Sequence, residues 1–325
     1  MNETMNFLLK SNDFEWDRWV ILILILFGLI TNSISIWIFS RPVFNHHVGS
    51  WYFFFLSLNN FIFIFIVLIH RFLTNSFQYQ TSMNSIEFCR IISFVSTLTR
   101  GLSHYILLMA TIDRYSANAI KLEQRKLNSF QIIPWVLLTI FLFFFIFSIP
   151  SPILTEFNSF DGFQCSIRFR TLVNEIYLII QMILFVIIPP ISMTIFSILT
   201  FRNRRLTGDL PATVSRCRRM EYNLTRMIFF IVSSHIILNL TESMEYLILF
   251  RSDLFQSLNL LIQRIIRIPI SLSFLTPNLF YFLFSKEFRR EFNKSIPIFI
   301  CCSRQPQINI NLDQDSLQPT ERLHQ

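Results

Sequence analysis

Few residues in this chain could do chemistry, and most of them interrupt apolar runs. Asp113, Arg114 and Tyr115 stand side by side where the run "HYILLMATI" stops. Arg100 and His104 precede them, one helical turn apart at i, i+4. Glu242 and Glu245 recur at i, i+3, and so do Arg264 and Arg267. The six histidines supply one adjacent pair, His46-His47, and no zinc-type i, i+4 pair. A nucleophile with its base is likewise missing from the pattern. We therefore expect no enzyme activity, no metal, no cofactor and no nucleic-acid partner. What the charges can do is pair with one another or with a ligand, and that depends on the elements that hold them.

Those elements are set by composition. Of 325 residues, 52% are hydrophobic, 39 are Phe and only 15% are charged. A soluble domain would carry roughly 25% charge. The apolar residues are blocked into runs of the length, about 20 residues, that a helix needs to cross a bilayer. Seven such runs are expected, near Arg18–Ser40, Gly49–Phe72, Phe88–Asn118, Phe130–Pro152, Leu172–Phe201, Tyr222–Phe250 and Leu258–Phe284. The fold class is all-α, a seven-transmembrane helix bundle. No internal repeat is visible and only five Gly are present, which argues against a transporter built from broken, repeated helices. After the seventh run, Phe284, Phe288 and Phe292 recur at i, i+4, i+8 between Lys286, Arg289, Arg290 and Lys294, the pattern of a basic amphipathic helix on the membrane surface. The expected organisation is an extracellular N-terminus (1–17), a transmembrane domain (18–284), an amphipathic surface helix (285–295) and a cytoplasmic tail (296–325).

Loop charge sets the orientation. The segment before run one carries Glu3, Asp13, Glu15 and Asp17 against Lys10. The connection between runs five and six carries Arg202, Arg204, Arg205, Arg216, Arg218 and Arg219 against Asp209. Positive loops stay inside, so the chain should lie in the plasma membrane with its N-terminus extracellular and its C-terminus cytoplasmic. No apolar stretch behind a basic start precedes run one, so a cleaved signal peptide is not expected. Asn2 then begins an accessible glycosylation sequon, Asn2–Thr4. Cys301 and Cys302 fall at the inner membrane face, where S-palmitoylation acts. Cys89 and Cys165 are the two cysteines on the oxidising side, and they form a natural disulfide pair.

With these elements in place the chain resembles a rhodopsin-like G-protein-coupled receptor over nearly its whole length. Asp113-Arg114-Tyr115 is similar to the family's DRY motif, and Cys89 stands 25 residues before Arg114 (114 − 89), the family's spacing. Asn32, Trp135 and Pro189 or Pro190 resemble the motif residues of the first, fourth and fifth helices. Pro277-Asn278-x-x-Tyr281 resembles NPxxY with its first two residues exchanged. The sixth helix resembles the Cys-His-x-Pro variant of some invertebrate peptide receptors of the FMRFamide-receptor type, with His235 where Trp is usual and Ile237 where Pro is usual. The family's second-helix acid, a sodium ligand, is replaced by Asn59 or Asn60. Cys217 falls where an acid usually stands at the foot of the sixth helix, with Glu221 a turn away. Run seven contains no Lys, which argues against a retinal pigment.

The resemblance implies that Asp113, Arg114, Tyr115, His235, Asn278 and Tyr281 serve activation and coupling to a heterotrimeric G protein. The family's pocket lies where the third, sixth and seventh helices converge, which places Arg100, His104, Glu242, Glu245, Arg264 and Arg267 around an extracellular ligand, and Gln181 is expected in the same ligand set. Arg100 sits roughly 21 Å further along the helix than Arg114, near the bilayer middle, where an ionisable residue usually has a partner or a function. A peptide is the favoured ligand, because it can offer both a carboxylate and a basic group, and no Asp stands where amine receptors hold their amine. The rival readings are a chemosensory receptor for a small molecule and a membrane transporter.

Overall fold

The computed structural model describes residues 2–45, 48–77, 86–117, 131–158, 164–167, 172–206, 226–241 and 268–303. Among them five helical stretches are long and apolar enough to cross a membrane: Arg18–Phe39, Gly49–Leu73, Ile86–Ala117, Ile133–Leu154 and Leu172–Asn203. A shorter apolar helix, Arg226–Thr241, belongs to the expected sixth run. Of the expected seventh run, the described residues 268–273 and Thr276–Phe284 are helical. We number these helices one to seven. The third is the hub, packing against the second, fourth and fifth.

Several boundaries depart from the expected ones. Helix one starts at Asn2, not Arg18; residues 2–17 contain no Gly or Pro that would stop a helix from growing outward. Helix four ends at Ser148 and is followed by a single short turn of helix, Pro150–Leu154. Pro150 and Pro152 cannot donate to the preceding carbonyls, so the regular ladder breaks there. The chain then enters a two-stranded antiparallel hairpin, β1 (Thr155–Asn158) and β2 (Gln164–Ile167), with Phe157 opposite Cys165. The segment falls between the expected fourth and fifth runs, where no strand is predicted from the sequence. The surface helix runs from Lys286 to Ser303, past the expected end at residue 295, so that Cys301 and Cys302 lie in its last turn.

Two helices widen locally. Helix two contains a π-helical stretch, Phe63–Leu68, and helix five another, Met182–Ile187. In helix five the stretch lies just before Pro189-Pro190. A proline ring clashes with the carbonyl four residues back, and a wider turn relieves that clash. Helix seven breaks at Phe274 and Leu275, whose N–H groups bond three residues back to Ser271 and Leu272 at 3.3 and 2.9 Å. Pro277 forces the break. The Ser273 carbonyl, which Pro277 cannot serve, receives the Thr276 hydroxyl at 3.2 Å.

Two apolar clusters fill the bundle. One, around Leu107, Phe144, Phe185, Ile231 and Tyr281, holds the end nearer Arg114. The other, around Ile64, Val67, Phe274 and Leu275, holds helices one, two and seven together. The surface helix docks through Phe288, whose ring lies 5.6 Å from Phe39 and 6.1 Å from Tyr281.

Candidate functional site

The residues that could do chemistry collect into three levels along the bundle. The first is the ion pair at one end of helix three. Arg114 donates to Asp113 Oδ2 from Nη2 at 2.6 Å and from Nε at 3.0 Å. Both residues are buried. A pair so placed is costly to break on one side only, because the remaining charge would be left in a low-dielectric surrounding. Gly49, at the start of helix two, is buried directly against the guanidinium. The Tyr115 ring leans on Phe196 of helix five at 5.5 Å.

A chain of buried amides and hydroxyls forms the second level. Asn278 donates from Nδ2 to Asn32 Oδ1 at 2.7 Å and receives the Ser57 hydroxyl at 3.2 Å. Asn32 in turn donates to the Gly28 carbonyl at 2.8 Å. Beside them Asn60 donates to the Phe274 carbonyl at 3.1 Å, at the break of helix seven, and receives the Ser103 hydroxyl at 3.1 Å. Asn59 is spent on the Thr99 carbonyl at 2.8 Å. The alternative left open by the sequence is therefore resolved. Asn60 faces the centre and ties helix two to helices three and seven, while Asn59 braces helix three. Tyr281 stands next to this level, fully buried among Phe39, Phe53 and Phe288. Its hydroxyl meets no hydrogen-bond partner among the described residues. An unmade bond of this kind costs on the order of 1–3 kcal/mol.

The third level lies one helical turn and more beyond. His104 donates from Nδ1 to the Arg100 carbonyl at 2.6 Å. Its ring faces His235 of helix six, 4.9 Å away between centroids, and Phe185 of helix five at 6.1 Å. His235 is buried and hydrogen-bonded to Asn239 one turn on. Gln181 is buried on helix five, at the last residue before its π-helical stretch. Helix six runs unbroken through Ile237, whose side chain is 65% exposed and points away from the bundle. The helix is thus continuous where the family's proline would stand.

Of the expected ligand set, Arg100 is half-buried a turn from His104, and His104 meets His235, a residue of the expected activation set. Glu242, Glu245, Arg264 and Arg267 lie outside the described residues, as do His46, His47, Cys217 and Glu221. At the far end of helix three Cys89 is fully buried and disulfide-bonded, and β2, which carries Cys165, packs against the same helix. Asn2 is the first residue of helix one. Among the described residues no three His, Cys, Asp or Glu side chains gather into a metal site.

Sequence reasoning missed Ser57, Ser103, Asn239 and Gly49. The signal was there for three of them: a polar residue in an apolar membrane run normally faces the interior and is hydrogen-bonded. Residues 31–278 match the family model described as 7 transmembrane receptor (rhodopsin family), more than half of the chain. Among curated proteins, none matches this one.

Proposed function

Because the chain belongs to the rhodopsin family of seven-transmembrane receptors, we propose that it binds an extracellular peptide and that Arg114 carries the signal to a heterotrimeric G protein. Family membership makes it a multi-pass plasma-membrane receptor that signals through G proteins, not an enzyme. The observation that carries the role of Arg114 is the buried Asp113–Arg114 pair at a helix end. Paired, the guanidinium is withheld; released, it offers five N–H donors to an incoming segment. Rest and coupling are then two arrangements of one side chain, and a ligand shifts the balance by binding one of them better.

In this reading the Arg114 end of the bundle is cytosolic and the Cys89 end extracellular. Loop charge supports that orientation. Cys165 is the partner we assign to Cys89, since β2 lies against helix three there and the other three cysteines fall on the cytosolic side. That bond would pin the hairpin over the mouth of the bundle. Arg100, His104 and Gln181, with Glu242, Glu245, Arg264 and Arg267, form the proposed ligand set. Their mixed charges suit a peptide carrying both signs. Asn2 and the pair Cys301 and Cys302 are the proposed glycosylation and lipidation sites, and the surface helix, docked on the bundle through Phe288, lies along the membrane surface with its basic residues toward the lipid headgroups.

Two experiments test the reading. Arg114→Ala should reach the cell surface and fail to drive nucleotide exchange, and unchanged agonist-driven signalling would sink the assignment. A peptide library screened on the expressed receptor should yield an agonist whose potency falls in Arg100→Ala and Arg267→Glu. Activation by small odorants but not by any peptide would move the receptor to the chemosensory class.

A further inference from the structure

We propose that Gly49 is a positioning residue for Arg114. The notch left by its missing side chain lets the guanidinium lie folded onto Asp113, and so sets how firmly the receptor rests without ligand. This rests on the reading of Arg114 as the coupling residue.

The geometry is specific to one nitrogen. A Cβ at position 49 would meet Arg114 Nη2 well inside the approach that real Cβ atoms make, with Cζ at 3.0 Å and Nε at an ordinary 3.4 Å. Nη2 is the atom that makes the shorter bond to Asp113, at 2.6 Å; Nε makes the longer one, at 3.0 Å. A single added methyl therefore strikes the stronger half of the pair and spares the weaker. Backbone room is not what gives way, since the obstructing atoms are the end of a flexible side chain, which can swing off Asp113 at small cost to the fold.

The terminus of helix two does not attract the arginine. Gly49 is the second residue of its helix, and a helix N-terminus carries partial positive charge that disfavours a guanidinium. The close approach is permitted by space and held by Asp113. Filling the space should thus shift the arginine towards its released arrangement. The loss of one hydrogen bond to a charged group is large enough to move such a balance about tenfold, or about 1.4 kcal/mol.

The test uses the full chain in nanodiscs, with ligand-free nucleotide exchange measured on a panel of purified heterotrimeric G proteins. Wild type, Gly49→Ala, Asp113→Asn, the double variant and Arg114→Ala are compared per folded receptor. Gly49→Ala should raise basal exchange about tenfold, Asp113→Asn should raise it comparably, and the double should add nothing to Asp113→Asn. Basal exchange equal to wild type in Gly49→Ala overturns the proposal, and so does a fully additive double. Normal coupling by Arg114→Ala overturns the reading beneath it, whatever Gly49→Ala does. Should Gly49→Ala fail to accumulate, Arg114→Lys supplies the second arm, because lysine has no Nη2 to collide. Gly49→Ala must then accumulate in the Arg114→Lys background as well as Arg114→Lys alone, and failure in both backgrounds overturns the proposal.

Discussion

Helices three and four lie side by side and solve opposite problems. Helix three is the least apolar of the five candidate spans, yet 61% of its most apolar window is buried. Helix four is much more apolar, and only 22% of its window is buried. The buried residues of helix three include Ser96, Thr97, Thr99, Ser103, His104, Thr111, Asp113, Arg114 and Ser116. The exposed residues of helix four include Trp135, Leu138, Phe141, Leu142, Phe143, Phe145 and Ile146. In water the order would be reversed. In lipid there is no hydrophobic gain from joining apolar faces, so association rests on close packing and interhelical hydrogen bonds. Polarity marks the inside, and the chemistry of the receptor runs along the helix that carries it.

The largest expected effect comes from putting a charge on the lipid side of that comparison. Ile146 is 64% exposed near the middle of the membrane-crossing stretch Ile133–Leu154. Ile146→Arg should cost about 2.5–3.5 kcal/mol of insertion free energy, seen as loss of membrane-integrated protein in a glycosylation-mapping assay. Arginine is tolerated at residue 114, where Asp113 and helix two receive it. Normal insertion of Ile146→Arg would mean that this face does not meet lipid.

A small side chain added on the packed side should matter nearly as much. Gly101 of helix three lies against the Phe144 ring, and a Cβ there would stand 2.6 Å from Cε1 and 2.9 Å from Cγ, with Cδ1 closer still. The ring cannot easily move: Tyr105, Phe143 and Phe185 pack around it at centroid distances of 4.8, 5.0 and 5.9 Å. Gly101→Val should therefore destabilise by about 1–3 kcal/mol, measured as a lower unfolding temperature in nanodiscs. A Phe144→Ala partner should recover part of the loss by making room, and a double variant less stable than either single would contradict the contact. Gly49 and Gly101 thus share a cause with different consequences, because one faces a mobile side chain and the other a fixed ring.

The sequence made the lipid-facing half of this comparison easy to read. Long apolar runs are demanded by bilayer thickness, and Asp113-Arg114-Tyr115 with Cys89 upstream placed helix three correctly. The inner half was harder. Asn59 and Asn60 are neighbours, and neighbouring residues differ by about 100° around a helix, so their roles depend on a rotation that the chain alone does not specify. The π-helical stretch after Ile62 then alters the phase of everything beyond it. Helix one could not be bounded at Asn2, since residues 2–17 carry charges that read as solvent-exposed chain while containing no helix breaker. The hairpin at Thr155–Ile167 left little pattern, because four-residue strands are too short for alternation to show.

Sodium offers a finer probe of the buried polar level. The carboxylate that binds sodium in the family is absent here, and Asn60, which stands in the centre, is already committed to the Phe274 carbonyl and the Ser103 hydroxyl. A neutral amide forfeits most of the attraction that a formal charge exerts in a low-dielectric interior. Agonist affinity should accordingly respond to sodium no more than to potassium. Asn60→Asp should install a sodium-specific decrease, with the Ser103 hydroxyl, 3.1 Å from the side chain at residue 60, as a further oxygen ligand. A large sodium effect in the wild type would show that some other acid serves the site.

The smallest effect is expected at a residue that the family resemblance would single out. Trp135 resembles the fourth-helix motif tryptophan, yet its side chain is 68% exposed and sits on the lipid face of the least buried type of helix. What fixes the start of helix four instead is Ile133, 4% exposed and part of the larger apolar cluster. Aromatic side chains at membrane interfaces gain mainly from the lipid headgroup region, and one apolar ring exchanged for another apolar side chain there leaves the protein's own contacts in place. Trp135→Leu should therefore change the unfolding free energy by less than about 0.5 kcal/mol and leave agonist-driven exchange intact. The same substitution logic applied inward, Ile133→Ala, should cost more, about 2 kcal/mol as a buried truncation. Thermal unfolding of both in the same nanodisc lipid gives the ratio directly. A tryptophan that proves the more costly of the two would mean that this face is covered by something other than lipid, and the contrast between helices three and four would then describe one subunit of a larger assembly.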